Sequence, residues 1–176
     1  MNREVKFRGK MVPENEWIFG TILRIPAPPG CFEKSESDKY YIQFPDPRYI
    51  PDWNMPYRMV QGEANPDTIG QYTGLHDKNG KEIYEGDIIL TQPLKDKPFS
   101  QKAKSKRLRG IVKYQVLCGK NFISEPDKLR YWGAEWDIEI IDKKDYEKYH
   151  NYGWGLFFEC EVIGNIYDNP ELLGGE

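Results

Sequence analysis

Ile69-Gly70-Gln71-Tyr72-Thr73-Gly74-Leu75-His76-Asp77-Lys78-Asn79-Gly80-Lys81-Glu82-Ile83-Tyr84-Glu85-Gly86-Asp87-Ile88-Ile89-Leu90 is the stretch whose reading decides the fold. At its center, Asn79-Gly80 tolerates the positive φ of a tight hairpin turn, whose twist suits antiparallel strands. Glu85-Gly86-Asp87 makes a second turn ahead of the apolar run Ile88-Ile89-Leu90, so the segment reads turn, strand, turn, strand. Its carboxylates, Asp77, Glu82, Glu85 and Asp87, sit at turns, where such groups accept backbone N–H bonds. Asp77-x-Asn79-Gly80 begins like a calcium loop but lacks the later ligand positions and the distal glutamate. Gly70 to Gly74 reads as a turn-forming loop held to the core by Gln71, Tyr72 and Thr73. It is not a phosphate loop, because neither a helix nor a Gly-Lys-Ser/Thr follows.

Working outward, Val5–Arg8 and Trp17–Ile25 read as paired strands joined by Pro13-Glu14-Asn15. Pro26-Ala27-Pro28-Pro29-Gly30 then breaks the pattern, and Pro45, Pro47, Pro51, Pro56 and Pro66 follow. Proline cannot donate to a ladder, so 26–66 is expected to be a long Pro-rich loop with one short strand, Tyr40–Phe44. Beyond the opening stretch, Ile111–Cys118 alternates, with Val112, Tyr114, Val116 and Cys118 on one face. Glu135–Ile141 does the same with Trp136, Ile138 and Ile140. Asp142, with Asp145 three residues on, predicts a capped short helix over Lys143–Asn151 that ends at Gly153. Leu156, Phe158, Cys160 and Val162 predict one face of a last strand. Asn169-Pro170 predicts a closing helical turn.

The expectation is a single mainly β domain over 1–176: a bent antiparallel sheet or barrel with one or two short helices. Glu85-Gly86-Asp87-Ile88-Ile89 followed by Gly110-Ile111-Val112-Lys113-Tyr114 resembles the loop-joined strands of SH3-like barrels. A chain of 176 residues can bury a real core, and its 12 Tyr, 8 Phe and 5 Trp favor strands. No apolar run approaches the ~20 residues that cross a bilayer, and the amino terminus has no apolar signal region. These features predict a cytoplasmic protein. Cys31, Cys118 and Cys160 are widely spaced, and with His76 and His150 they give no metal-ligand spacing, so no metal and no cofactor is expected.

The central stretch closely resembles the signature of the YopX family of bacteriophage and prophage proteins. Val5-Lys6-Phe7-Arg8-Gly9-Lys10 with Asn15-Glu16-Trp17-Ile18-Phe19-Gly20 resembles the family's opening. Glu161-Val162-Ile163-Gly164-Asn165-Ile166-Tyr167-Asp168-Asn169-Pro170-Glu171-Leu172-Leu173 resembles its close. The segments at about 26–66 and 92–153 match weakly. The resemblance implies a mainly β fold, a phage or prophage origin and hence a bacterial host cytoplasm. It implies no biochemical activity.

Three functional readings differ in the residues they use. The first is a non-enzymatic accessory protein that binds another protein of host or phage, or a second copy of itself. The aromatic loop residues Trp53 and Tyr57 are its candidate contacts. The second is nucleic-acid binding through Lys102, Lys104, Lys106, Arg107 and Arg109 in the basic segment Lys95–Arg109. Against it, the chain carries a net charge of -3, and a lysine-rich loop is more often simply solvated. The third is a small-substrate enzyme using the turn carboxylates, which would need burial to set their pKa values. No Gly-x-Ser-x-Gly or triad pattern supports it, and no catalytic residue is assigned.

Overall fold

The computed structural model describes residues 4–27, 37–50, 57–95, 104–121, 125–142, 144–145, 156–157 and 159–174, and of 116–121 and 125–134 the backbone alone. The fold is mainly β and antiparallel, without barrel closure. Two compact units divide the chain, Met1–Gly74 and Leu75–Glu176.

In the first unit lie β1 (Phe7–Lys10), β2 (Trp17–Ile25), β3 (Lys39–Pro45) and β4 (Met59–Ala64). Next comes β5 (Gly70–His76), which carries the chain into the second unit. The sheet runs in the order β4-β3-β2-β1-β5. Opposed residues of antiparallel strands share a face, so the register sorts the side chains. Gly9 opposes Ile18, and Ile22 opposes Ile42, on the inner face. There Ile18, Ile42 and Ala64 form the core with Met11, Phe44 and Ile69. A single bridge between Met11 and Ala64 bends the end of β1 toward β4. The β1–β2 turn includes a cis Val12–Pro13 peptide and Asn15 at φ 61.

In this unit two strands arise where none was expected. The proline-rich stretch contains β4, because Met59–Ala64 is itself free of proline and pairs fully with β3. Gly70–Gly74 forms most of β5 instead of a loop; Tyr72 and Thr73 are buried, and the Tyr72 amide donates to Lys6 O at 2.8 Å. The turn between these strands is a single 3-10 turn, Pro66–Thr68. Asn65 caps it, and Lys10 N donates to Thr68 Oγ1 at 2.9 Å.

The second unit holds β6 (Glu82–Tyr84), β7 (Asp87–Leu90), β8 (Leu94–Lys95), β9 (Ser105–Lys106), β10 (Arg109–Asn121), β11 (Glu125–Ile140) and β12 (Glu161–Asn165). Its main sheet is ordered β11-β10-β7-β12, and β8 and β9 form a small ribbon. Much of the alternation read from the sequence holds: Val112, Trp136, Ile138 and Ile140 join Ile83, Ile89, Leu108, Leu156, Cys160 and Val162 in one core, whereas Tyr114 is half exposed and the side chains of Val116 and Cys118 lie outside the described residues. Burial pushes the Cys160 thiol up to about 11, and the neighboring Asp77 charge adds to the effect. Cys160 is therefore a packed apolar group at neutral pH.

The last strand is shorter than its alternation suggests. Leu156 and Phe157 form a 3-10 turn and Glu159 takes φ 51, so pairing starts only at Glu161. Phe158 lies outside the described residues, as does most of the expected 143–151 helix. Its start is described: Asp142 Oδ1 accepts the amides of Lys144 at 2.9 Å and Asp145 at 3.4 Å, as a capping residue should. The closing turn, Pro170–Leu173, forms with proline in its first turn, but Asn169 makes no side-chain cap. Its Oδ1 instead accepts from Asn165 N at 3.3 Å.

Candidate functional site

Two carboxylates of the central stretch, Asp77 and Asp87, are committed to the backbone. Asp77 is buried beside the Asn79-Gly80 turn; its Oδ1 accepts Asn79 N at 2.7 Å and Lys81 N at 2.9 Å. Oδ2 reaches 85 residues along the chain to accept Val162 N at 3.0 Å. Burial works to raise this carboxyl's pKa. The three amides outweigh it and hold the group below the usual carboxylate range. Two further links fasten the same turn to the end of the chain. Lys78 N donates to Cys160 O at 2.9 Å, and Lys78 Nζ pairs with Glu161 at 2.6 Å. Asp87, fully buried, accepts Tyr84 N at 2.8 Å across the Glu85-Gly86 turn. Glu82 accepts the Tyr84 hydroxyl at 2.6 Å.

The basic segment is also tied down where it is described. Arg107 Nε donates to Thr91 O at 2.8 Å, and its Nη2 lies 3.4 Å from Glu161. Arg109 donates to Leu172 O at 3.0 Å and to Gly174 O at 3.3 Å, closing the carboxy-terminal turn onto β10. Lys106 pairs with Asp145 at 2.7 Å. Lys104 is exposed, and Lys102 lies outside the described residues. A cleft of ≈ 300 Å³ is lined by Lys106, Arg107 and Arg109, but Asp142 and Asp145 share it. Glu161 receives both Lys78 and Arg107, and these cations, Lys78 first, hold its pKa below the ordinary glutamate value despite some desolvation. Arg109→Ala is expected to lower stability by about 1–2 kcal/mol, since two carbonyls lose a charged donor. Urea denaturation of the wild type and this variant checks the expected loss.

The outer face of the first unit's sheet has a different character. Register places Phe19 opposite Arg8, Thr21 opposite Gln43, Leu23 opposite Tyr41 and Ile25 opposite Lys39. It also places Pro45 opposite Met59 and Gln43 opposite Gln61. Phe19, Leu23, Ile25 and Met59 are all exposed on this face, although the other side of the same strands already forms the core. Phe19, Thr21, Gln43, Pro45 and Met59 line a shallow depression of ≈ 380 Å³. Toward β1, Trp17 packs under two cations, with Arg8 at 4.8 Å and Lys10 at 5.5 Å from the ring centroid. Tyr57 leads into β4 with three-quarters of its surface exposed (75%), and Trp53 lies outside the described residues.

The family model described as "YopX protein" matches residues 6–174, nearly the whole chain. The chain belongs to the YopX family. No curated protein matches it. Among solved structures it is similar to protein EF1440 from Enterococcus faecalis, at 21% identity over 98% of this chain and 100% of that one. The TM-score of 0.37 is too low for any inference from that likeness.

In this YopX chain the signature turns act as a fastener: Asp77 joins the central block to the closing block through Val162. No group of three or more His, Cys, Asp or Glu side chains converges to hold a metal among the described residues. Of the residues proposed from sequence for nucleic acid, Lys106, Arg107 and Arg109 come together in the structure, yet each is bound to another part of the chain. The sheet face was missed. Its sequence signal was Phe19, Leu23 and Ile25 in alternation opposite Ile18 and Ile22, a strand apolar on both faces, which marks either a buried strand or a contact surface.

Proposed function

We propose that this YopX-family protein is a non-enzymatic accessory protein of a bacteriophage or prophage, working in the bacterial cytoplasm. In this reading it docks another protein on the outer face of β2, β3 and β4. The observation that carries the reading is the exposed set Phe19, Leu23, Ile25 and Met59 on one sheet face whose opposite side already forms the core. Apolar and aromatic side chains with few charges at the center are the composition of a protein interface. Supporting it, Asp77, Glu82 and Asp87 are occupied by backbone amides or a hydroxyl, which suits anchoring better than proton transfer.

The test compares the wild-type chain with a Phe19→Asp/Leu23→Asp double variant, each tagged and recovered from bacterial host cells. A partner held by the wild type and lost at least about tenfold in the variant, with circular dichroism unchanged, is the expected outcome. Identical recovery with both chains overturns the reading. Tyr57→Ala should weaken the same partner and leave the fold intact.

Nucleic-acid binding through Lys104, Lys106, Arg107 and Arg109 is the second reading, favored by the cation-lined cleft on β9 and β10. It predicts oligonucleotide binding, seen by fluorescence anisotropy, that weakens steeply with salt. Because Lys106 and Arg107 already face Asp145 and Glu161, the expected result is weak binding at low salt and none at physiological salt.

A further inference from the structure

Resting on the protein-binding reading above, we propose that the partner supplies an extended acidic segment. This segment adds as a strand along the free edge of β4, and Arg48 and Arg58 receive its carboxylates.

The edge itself is the first observation. In the sheet order β4-β3-β2-β1-β5, β4 is outermost. Backbone groups alternate sides along a strand. Arg58 O accepts from Asp46 on the β3 side, and Glu63 O accepts from Val12 on the far side, each at 2.8 Å. Met59, Gln61 and Glu63 therefore turn their backbone groups away from β3. Val12 occupies the Glu63 carbonyl. Among the described residues, no backbone partner meets the outward groups of Met59 and Gln61. An open edge of this kind is a template for an added strand.

Charge where β4 begins is the second observation: Arg58 immediately precedes the strand, and Arg48 follows β3 and shares Asp46 with it. The Arg48 side chain is 90% exposed and the Arg58 side chain 65%, whereas the one carboxylate between them, on Asp46, is 7% exposed. Both contacts to it are long, 3.6 Å from Arg48 Nε and 3.8 Å from Arg58 Nε, and Asp46 Oδ1 also accepts Arg48 N at 3.0 Å. Two guanidinium forks share one carboxylate that is already in use, so donors remain for further carboxylates, the group whose geometry they match best. Tyr57 and Met59, exposed where β4 begins, offer apolar side chains of an alternating segment a seat. A peptide satisfies the backbone edge, the arginines and the apolar seat together. A nucleic acid has no groups for the first.

The probe is a fluorescein-labeled peptide of alternating Glu and Val, with a Lys/Val peptide of equal length and a proline-interrupted Glu/Val peptide as controls. Each is titrated with the full chain by anisotropy at low salt. Saturable binding of the Glu/Val peptide alone is expected, falling at least about tenfold in Arg48→Glu/Arg58→Glu. If that variant loses its circular dichroism signal, Arg48→Gln/Arg58→Gln replaces it. Equal binding of the Lys/Val or proline-interrupted peptide, unchanged binding by the arginine variants, or no binding at millimolar protein each overturns the proposal. The arginine variants are also carried through the cellular recovery experiment. A partner lost with Phe19→Asp/Leu23→Asp but kept by the arginine variants leaves the protein-binding reading standing and removes this one. A partner kept by all variants removes both.

Discussion

Asp77→Ala is expected to lower the stability of the folded chain by about 3–5 kcal/mol, read as a fall in the urea midpoint at unchanged slope. The loss is large because one side chain serves three amides, and the Val162 amide is buried where water cannot replace the carboxylate. Asp77→Asn should fall between, since its amide group turns a donor toward N–H groups that need acceptors. The two substitutions also separate charge from shape. With its pKa held down in the fold, Asp77 binds fewer protons folded than unfolded. Its stabilization is therefore complete above the unfolded value of about 3.9 and is lost as pH falls from there through the folded value. The wild-type midpoint should drop over that window and the Asp77→Asn midpoint should drop less. Glu161 and Asp38 are depressed in the same direction, but both are more open to solvent and add less. A variant whose midpoint matches the wild type at neutral pH would show that the three hydrogen bonds carry no net stability.

Gly20→Ala is expected to cost about 2–4 kcal/mol, by forcing β2 and β3 apart. A Cβ at this position would lie 1.9 Å from Gln43 O and 2.9 Å from Gln43 C, which are backbone atoms with no rotamer to give way. Gly80 provides the contrast. It takes φ +81 in the hairpin turn, and a Cβ there meets nothing within 4 Å, so Gly80→Ala should cost only the left-handed backbone, about 1–2 kcal/mol. Urea denaturation of both variants orders them; a Gly80→Ala loss exceeding that of Gly20→Ala would contradict the packing argument.

The hairpin was legible because its cause is local: Asn79-Gly80 fixes the turn, and Asp77 can reach its own backbone two and four residues on. The third bond of Asp77 was not legible, since nothing near position 77 announces Val162. The same limit explains the basic segment. Counting Lys104, Lys106, Arg107 and Arg109 gives a charge cluster, but the Thr91 and Leu172 carbonyls that take up two of these side chains are set by long-range pairing. Proline and glycine misled in the first unit. Prolines flanking Met59–Ala64 hid β4, and Gly70 with Gly74 hid β5, although Tyr72 and Thr73 between them are β formers and end up buried. The outer sheet face was missed for a further reason. Alternation identifies a buried side and a free side, and on β2 both sides are apolar.

The reach of Asp77 across 85 residues also sets an order of events while the chain is being made. At ~5–20 residues per second, the ribosome needs roughly 4–17 s to move from the signature turn to the residue that locks it. Through that interval the first unit has its whole sequence and can fold, whereas the Asp77 carboxylate has only its two local amides. The second unit completes late, when the final strand emerges. A nascent chain stopped just short of Val162 should therefore remain sensitive to protease in the second unit, and one extended past Gly174 should not.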